Sequence, residues 1–448
     1  MTDQYSPSSG QIYVRDWRTG ATRLASIGPN GTGGNTHSFS PSASSNGQVV
    51  AFTSPADNLF AGPDTNANYD VFAWQAASGT AQLVSVNRAG TGTGNGRSLE
   101  PILSANGRLV AFSSEASDLV NNDTNEWPDV FVRDLVAGTT VLISVNQSGT
   151  SGGLGHSHNP VFSADGRYVA FTSTAGDLVP GDGNGTEDVF VRDLLLGTTR
   201  LVSVNEAGTG SGNSFSSRPS ISADNRYVAF QSAASDLAPG NPSSLYNVFL
   251  RDLVSGTTTL VSTRCDGTRS GNALSWHPAL SANRRYVAFT SLATDLTGDS
   301  VVPAVENVFR RDLLTGQTTL YSRSHTGVGG ANLPSWPPSL SADGSTVAFQ
   351  SDATNLLPLD GNEATDLFAW VAGPLPTALS AAQGGGTALI TWLESGNNCV
   401  LLSATNPSAP AASWAPVTSG ITDFGLVKVY AAHFAPGEPT RYYRLRCP

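Results

Sequence analysis

Ser163-Ala164-Asp165-Gly166-Arg167-Tyr168-Val169-Ala170-Phe171 is followed by Asp188-Val189-Phe190-Val191-Arg192-Asp193, then by Gly197-Thr198-Thr199-Arg200-Leu201-Val202-Ser203-Val204. These three phrases decide the fold because they recur. The second opens at Gln11 (as Gln-Ile-Tyr), Asp70, Asp129, Asp188, Asn247, Asn307 and Asp366, at intervals of 59 residues with a single 60. A fixed period of that length marks repetition of one supersecondary unit. Each unit reads as four strands: A through Pro160 to Ser163, a tight turn at Ala164 to Arg167, B through Tyr168 to Phe171, C over Asp188–Asp193 and D over Thr199–Val204. B is continuously apolar while C and D alternate, which suits the inner and outer strands of a blade. Four-stranded units repeated radially make a β-propeller. The A–B pair occurs six times, ending with Pro338 to Ser351, so the expectation is an all-β chain: a six-bladed β-propeller followed by a small β-sandwich.

The composition agrees. Of 448 residues only 13% are charged, while Gly numbers 47 and Pro 26, as turns and short strands require. The net charge of −11 and a single lysine, Lys428, argue against a nucleic-acid partner, which needs clustered cations. No apolar run is long enough to span a membrane as a helix. The expected organisation is an N-terminal arm over 1–10, the propeller over 11–373, a stiff linker over 374–376 and a β-module over 377–448. The arm lacks the basic-then-apolar order of a signal peptide, so either a leader has been removed or there never was one. In the last module Ala388–Trp392, Cys399–Ser403, Val427–Ala432 and Tyr442–Arg446 read as strands. Cys399 and Cys447 either pair there or stand, with Cys265, as free thiols.

The Ser-Ala-Asp-Gly-Arg-Tyr-Val-Ala-Phe and Asp-Val-Phe-Val-Arg-Asp phrases resemble the TolB-like propeller repeat of bacterial secreted and periplasmic proteins, over residues 11–373. The C-terminal pattern is similar to fibronectin type III or immunoglobulin-like modules. The resemblance implies an extracellular, cell-surface or periplasmic location and leaves function open, because propellers host unrelated activities.

Strand order puts the long B–C and D–A loops on one face, where function is expected. The B–C loops carry Asp-x-Asn-x-x-x-Asp as Asp64/Asn66/Asp70, Asp123/Asn125/Asp129, Asp182/Asn184/Asp188 and Asp360/Asn362/Asp366. Asn58, Asp118, Asp177 or Asn355 lies five or six residues upstream. Ca²⁺ takes six to eight oxygens from carboxylates, amides and carbonyls, and this spacing offers them. The same residues also make turns through side-chain to backbone bonds. Asn241/Ser243/Asn247 and Asp299 to Asn307 break the pattern, so a calcium set predicts those two blades to be empty.

The residue before the Pro of strand A is Ser40, Glu100, Asn159, Arg218, His277 and Pro337; one place earlier stand Phe39, Leu99, His158, Ser217, Trp276 and Trp336. Variation here against a constant scaffold predicts either a ligand ring at the channel mouth, with Glu100, His158, Arg218, Trp276, His277 and Trp336 as contacts, or a freely drifting solvated rim. No nucleophile elbow, zinc spacing or carboxylate pair is present, so no enzyme is expected. The recurring Arg-Asp that ends strand C reads as a structural cap. Strand C occurs seven times against six A–B pairs. The N-terminal pair over 11–27 would normally close the sixth blade, and Asp366–Val371 competes for the same edge: either Asp366–Val371 simply extends that blade, or the N-terminal pair completes a neighbouring molecule. The expected role is a non-catalytic extracellular binding and scaffold protein for a protein or glycan partner. The competing expectation is a structural subunit of a filament or surface layer, self-associating by strand exchange or through the C-terminal module.

Overall fold

The computed structural model describes residues 10–16, 19–242, 244–358 and 364–371, together with C-terminal strands between 380 and 446. A hairpin of β1 (Tyr13–Arg15) and β2 (Thr22–Leu24) comes first. Blade 1 is β3 (Phe39–Ala43), β4 (Val49–Ser54), β5 (Asp70–Gln75) and β6 (Thr80–Leu83). Blade 2 is β7 (Ser98–Leu103), β8 (Leu109–Ser114), β9 (Asp129–Asp134) and β10 (Thr139–Leu142). Blade 3 is β11 (Ser157–Phe162), β12 (Tyr168–Ser173), β13 (Asp188–Asp193) and β14 (Thr198–Leu201). Blade 4 is β15 (Ser216–Ile221), β16 (Tyr227–Ser232), β17 (Asn247–Asp252) and β18 (Thr257–Leu260). Blade 5 is β19 (Ser275–Leu280), β20 (Tyr286–Ser291), β21 (Asn307–Asp312) and β22 (Gln317–Leu320). Blade 6 has three strands, β23 (Ser339–Leu340), β24 (Thr346–Ser351) and β25 (Asp366–Val371). All pairings are antiparallel, and the fold is a six-bladed β-propeller.

The C-terminal strands are β26 (Ser380–Gly384), β27 (Thr387–Leu393), β28 (Val400–Ala404), β29 (Ala415–Pro416), β30 (Ile421–Asp423), β31 (Val427–His433) and β32 (Tyr442–Arg446). They form one sheet ordered β26-β27-β31-β30 and another ordered β29-β28-β32. The packing that would make them a sandwich, the linker 374–376, Cys399 and Cys447 lie outside the described residues.

The core is a set of inter-blade layers built from one pattern. Each of blades 1 to 5 turns a back face toward the next, from an Ala of strand B, one or two apolar residues of C and one of D. The next blade answers with a front face of Val and Phe from B, Ala and Leu from the loop that follows, and Phe from C. Ala111, Val130, Val132 and Ile143 of blade 2 meet Val169, Phe171, Ala175, Leu178 and Phe190 of blade 3 in this way. Ala229, Val248, Leu250 and Val261 of blade 4 meet Val287, Phe289, Ala293, Leu296 and Phe309 of blade 5. The B and C phenylalanines of each blade stack, as Phe171 and Phe190 do at 5.7 Å. In blades 1 to 5 these side chains are fully buried, so each Phe removes its whole ring from water, roughly 2–3 kcal/mol.

The surplus strands find different places. β25 pairs with β24 in the register of the other B–C pairs, Ser351 facing Asp366, so it is the C strand of blade 6. The N-terminal hairpin stays a two-stranded sheet and lays Ile12, Val14, Ala25 and Ile27 on Val50, Phe52 and Phe72 of blade 1. It is half a blade, with the C and D residues of a back face.

The Arg-Asp repeat is structural. Asp193 Oδ1 accepts the N–H groups of Leu195 (2.9 Å) and Leu196 (3.1 Å) in the C–D turn, and Arg192 reaches Thr199 across the hairpin at 2.8 Å. Arg167 pairs with Asp193 at 2.6 Å and holds its carboxyl down to about 2.

Candidate functional site

Strand A differs from its sequence reading in one respect that builds the site. It begins at Ser157, three residues before Pro160, and a bulge falls between His158 and Val161. Strand interiors exclude proline except at bulges, because it donates no ladder bond. The residue before each proline absorbs the extra length in the left-handed region, with φ of 50° at Ser40, 55° at Glu100, 53° at Asn159, 54° at Arg218 and 54° at His277. A non-glycine residue there costs about 1–2 kcal/mol. Pro337 cannot adopt that φ, and in blade 6 strand A shortens to Ser339–Leu340.

The bulge re-aims the residue that carries it. Ser40, Glu100, Asn159, Arg218, His277 and Pro337 all line one cavity of about 380 Å³ in the central channel, with the prolines behind them. The Glu100 carboxylate accepts the Asn159 N–H (2.9 Å) and the Ser113 hydroxyl (3.2 Å). His277 N–H donates to Gln231 at 2.9 Å, so adjacent blades are stitched at the mouth. Burial, with the Arg218 charge in second place, pushes the His277 imidazole down to about 4, and its buried Nδ1 has no hydrogen-bond partner.

The residues one place earlier do not join the channel. Leu99 and His158 open instead on a second pocket of about 300 Å³ between blades 2 and 3, shared with Glu100, His156, Glu187 and the Arg97–Glu115 ion pair. His158 Nε2 lies 2.8 Å from Glu187, which raises the imidazole pKa, and its Nδ1 lies 2.7 Å from the Asn159 amide. Ser217 is buried and accepts from Gln231 at 3.1 Å. Trp276 packs edge-on beside His277, and neither it nor Trp336 lines either cavity, so the expected stacking platform is not assembled at the channel. Glu187 was not singled out from the sequence. It occupies the place before strand C where other blades have Tyr69, Pro128, Tyr246, Glu306 and Thr365, so comparison of repeats at that place exposes it.

In the B–C loops the last residue of the motif is locked from the segment just after strand D. A serine hydroxyl donates to it in Ser85–Asp70 (2.6 Å), Ser144–Asp129, Ser203–Asp188 (2.5 Å), Ser262–Asn247 (2.9 Å) and Ser322–Asn307 (2.7 Å). Asn66, Asn125 and Asn184 each donate to a carbonyl of the next D–A loop, Gly94, Gly153 and Gly212. Asp118 and Asp177 accept the N–H groups of Asn95 and Leu154 through Oδ1, and Asn58, Asp236, Asp295 and Asn355 do the same in the other blades. The upstream residue is therefore a loop tie common to all six blades. Burial pushes Asp70 and Asp129 up to about 7, Asp123 to about 6 and Asp188 to about 8, and it raises Asp182 as well. One oxygen of Asp182, Oδ2, is buried with no hydrogen-bond partner. Among the described residues no three His, Cys, Asp or Glu side chains cluster as a metal site. Asp360 and Asn362 lie outside the described residues; Asp366 starts β25.

No protein-family model matches the sequence, and no curated protein does. Among solved structures the chain is similar to TolB from Acinetobacter baumannii, at 15% identity and a TM-score of 0.39 over 78% of this chain and 61% of that one. A putative TolB from Agrobacterium tumefaciens follows at 16% identity and a TM-score of 0.38, covering 69% and 87%. A prolyl endopeptidase matches at 13% identity and a TM-score of 0.49, covering 86% of this chain and 51% of its own length. Similarities so distant carry no function across, and the propeller stands on the strand pairing described above.

Proposed function

We propose that the chain is a non-catalytic binding and scaffold protein of the cell exterior, whose channel mouth holds a polar segment of a protein or glycan partner. The observation that supports this reading is the ring of five left-handed bulge residues. Strain of that kind collects where a side chain must be aimed. It aims Glu100 and Arg218, of opposite charge, into one cavity. Among the described residues neither forms an ion pair. The site thus offers an acceptor on one side and a guanidinium donor fork on the other, suited to a dipolar or zwitterionic group. Peptide and glycan arrays probed with the full chain test this. Arg218→Ala and Glu100→Gln are each expected to weaken the captured ligand at least about tenfold with an unchanged melting curve. Binding that survives both substitutions overturns the reading.

A second reading concerns the loops of blades 1 to 3, which we propose bind Ca²⁺. The unpartnered Asp182 Oδ2 favours it, since Asp182 lies beside the more deeply buried Asp188; hydroxyl and amide donors from Ser211, Ser203 and Asn184 reach the pair, but among the described residues no cation forms an ion pair with either. Asp64 beside Asp70 and Asp123 beside Asp129 repeat the arrangement. A hard cation with carboxylate and carbonyl ligands would neutralise each pair.

A further inference from the structure

Glu100 lines two cavities, the channel and the pocket of about 300 Å³ between blades 2 and 3. That volume is at the small end of ligand pockets. Its polar walls are peculiar to these two blades. In blade 1 the places of His156, His158 and Glu187 hold His37, Phe39 and Tyr69, whose rings pack on one another at 5.5 to 5.9 Å. In blade 4 they hold Phe215, Ser217 and Tyr246, and the place of Glu115 holds Pro55, Ala233 or Leu292 in blades 1, 4 and 5. The scaffold accepts apolar residues at all of these places, so the fold does not require the charges.

Nor do the charges cancel. Arg97 is the one arginine of the pocket, and Glu115 holds it at 2.6 Å. Among the described residues Glu187 pairs with the His158 imidazole at 2.8 Å and with no arginine, and Glu100 forms no ion pair. Two carboxylates thus border one small pocket with no arginine or lysine to answer them, while Leu99 and Pro128 supply apolar wall.

We propose that this pocket receives an arginine side chain of a peptide or protein partner, its guanidinium on Glu100 and Glu187 and its aliphatic stem against Leu99 and Pro128. Arginine suits the pocket better than lysine, because its donor fork serves two carboxylates at once and its plane stacks on flat rings such as those of His156 and His158. The net charge of −11 would also draw a cationic partner to the molecule. The proposal stands apart from the channel-mouth reading, since Arg218 lines the channel and not this pocket.

The test titrates the full chain with N-acetyl-arginine amide, which carries no terminal charges, and follows the imidazole C–H signals by NMR. The chain has six histidines, so His156 and His158 can be assigned with His→Gln variants. Both signals should shift saturably, and N-acetyl-citrulline amide, of the same shape without the charge, should bind at least about tenfold more weakly. Glu187→Gln should weaken the arginine probe by a similar factor. Glu115→Gln should weaken it too, because it frees Arg97 to compete, and it carries the test if Glu187→Gln fails to fold. Arg218→Ala should not weaken the probe, whereas it should release a ligand of the channel mouth, so the two readings fail separately. No saturable shift at either histidine, an equal response to the citrulline probe, or binding unchanged by the glutamate substitutions overturns the proposal.

Discussion

Blades 1 to 3 and blades 4 to 5 share the same B–C loop position and the same serine lock, yet place different chemistry in it. Asp70, Asp129 and Asp188 accept the serine hydroxyl in the first group, and Asn247 and Asn307 accept it in the second. The lock therefore needs an acceptor oxygen and not a charge. The carboxylate is an addition, and an expensive one, since an ionised group in an apolar layer loses its hydration. The second group also shows how the loop looks when balanced internally. Asn247 donates its amide to Asn241 at 3.1 Å, and Asp299 is clamped by Arg323 at 2.7 Å. In the first group Asn125 and Asn184 likewise donate to Asp129 and Asp188 at 2.7 Å, and Asp64 accepts the Asn66 and Ala67 N–H groups as a turn former, but a second carboxylate, Asp64, Asp123 or Asp182, also stands beside the first. Turn formation alone explains the second group and leaves that pairing of carboxylates in the first unexplained.

Calcium removal gives the largest expected effect. One site saturated to about 100-fold its Kd adds about 2.7 kcal/mol to the folded state, so loss of several sites should lower Tm by roughly 10 °C or more. Thermal unfolding with calcium and with chelator measures it. Asp129→Asn should shrink that difference, and the combined Asp70→Asn, Asp129→Asn and Asp188→Asn chain, which makes blades 1 to 3 resemble 4 and 5, should abolish it. Coincident curves for the parent would return the carboxylates to turn chemistry.

Next in size is a pH slope. Buried carboxyls raised to about 7 and 8 bind protons in the folded chain that the unfolded chain, near 4, has already released. Their contribution is complete below about pH 4 and is lost as pH rises toward 7 or 8. In chelator, Tm should fall between pH 5 and pH 8, and calcium should flatten the slope by holding the carboxylates ionised. Asp134 and Asp193 run the other way: held down to about 2 by arginine, they favour the fold above pH 4 and lose that as pH drops. A rising Tm from pH 5 to pH 8 in chelator would show that the buried carboxyls are already compensated.

The blade number, the interior strand B, the cap made by the Arg-Asp repeat and the channel position of the residue before proline were all legible, because repetition exposes whatever the scaffold holds constant. The bulge was not. Pro160 marks where strand A bends, but the backbone conformation of Asn159 follows from how β11 pairs with β12, a tertiary constraint. Adjacent residues consequently point to different cavities, which is why Trp276 and Trp336 fall outside a ring that includes His277. Which strand takes the edge of β24 was also hidden, since Gln11 to Asp16 and Asp366 to Val371 carry the same pattern. Likewise the upstream Asp118 and Asp177 look like metal ligands until Asp236 and Asp295 are seen tying the same loop in blades that lack the motif.

A smaller effect separates the two groups at the lock itself. Ser203→Ala removes the hydroxyl from a buried carboxylate, and Ser262→Ala removes it from a buried amide. A hydrogen bond to a charged group contributes about 1.5–3 kcal/mol against about 1 kcal/mol for a neutral one. Denaturant unfolding at pH 8 in chelator should rank Ser203→Ala as the costlier change. At pH 5, where Asp188 is protonated, the two should converge. Equal costs at both pH values would mean that Asp188 stays neutral.

The smallest expected effect is at the bulge. Asn159→Gly removes the left-handed penalty of about 1–2 kcal/mol but returns about 0.4–1 kcal/mol of freedom to the unfolded chain. It also deletes the amide beside His158 Nδ1. The net change should be within about 1 kcal/mol of zero, in the stabilising direction if the bulge is imposed by strand pairing. Ser40→Gly, where the side chain is short and exposed, should stabilise at least as much. A clear loss of stability at both positions would mean that the side chains themselves hold the bulge, and that the strain is offset locally rather than by the sheet.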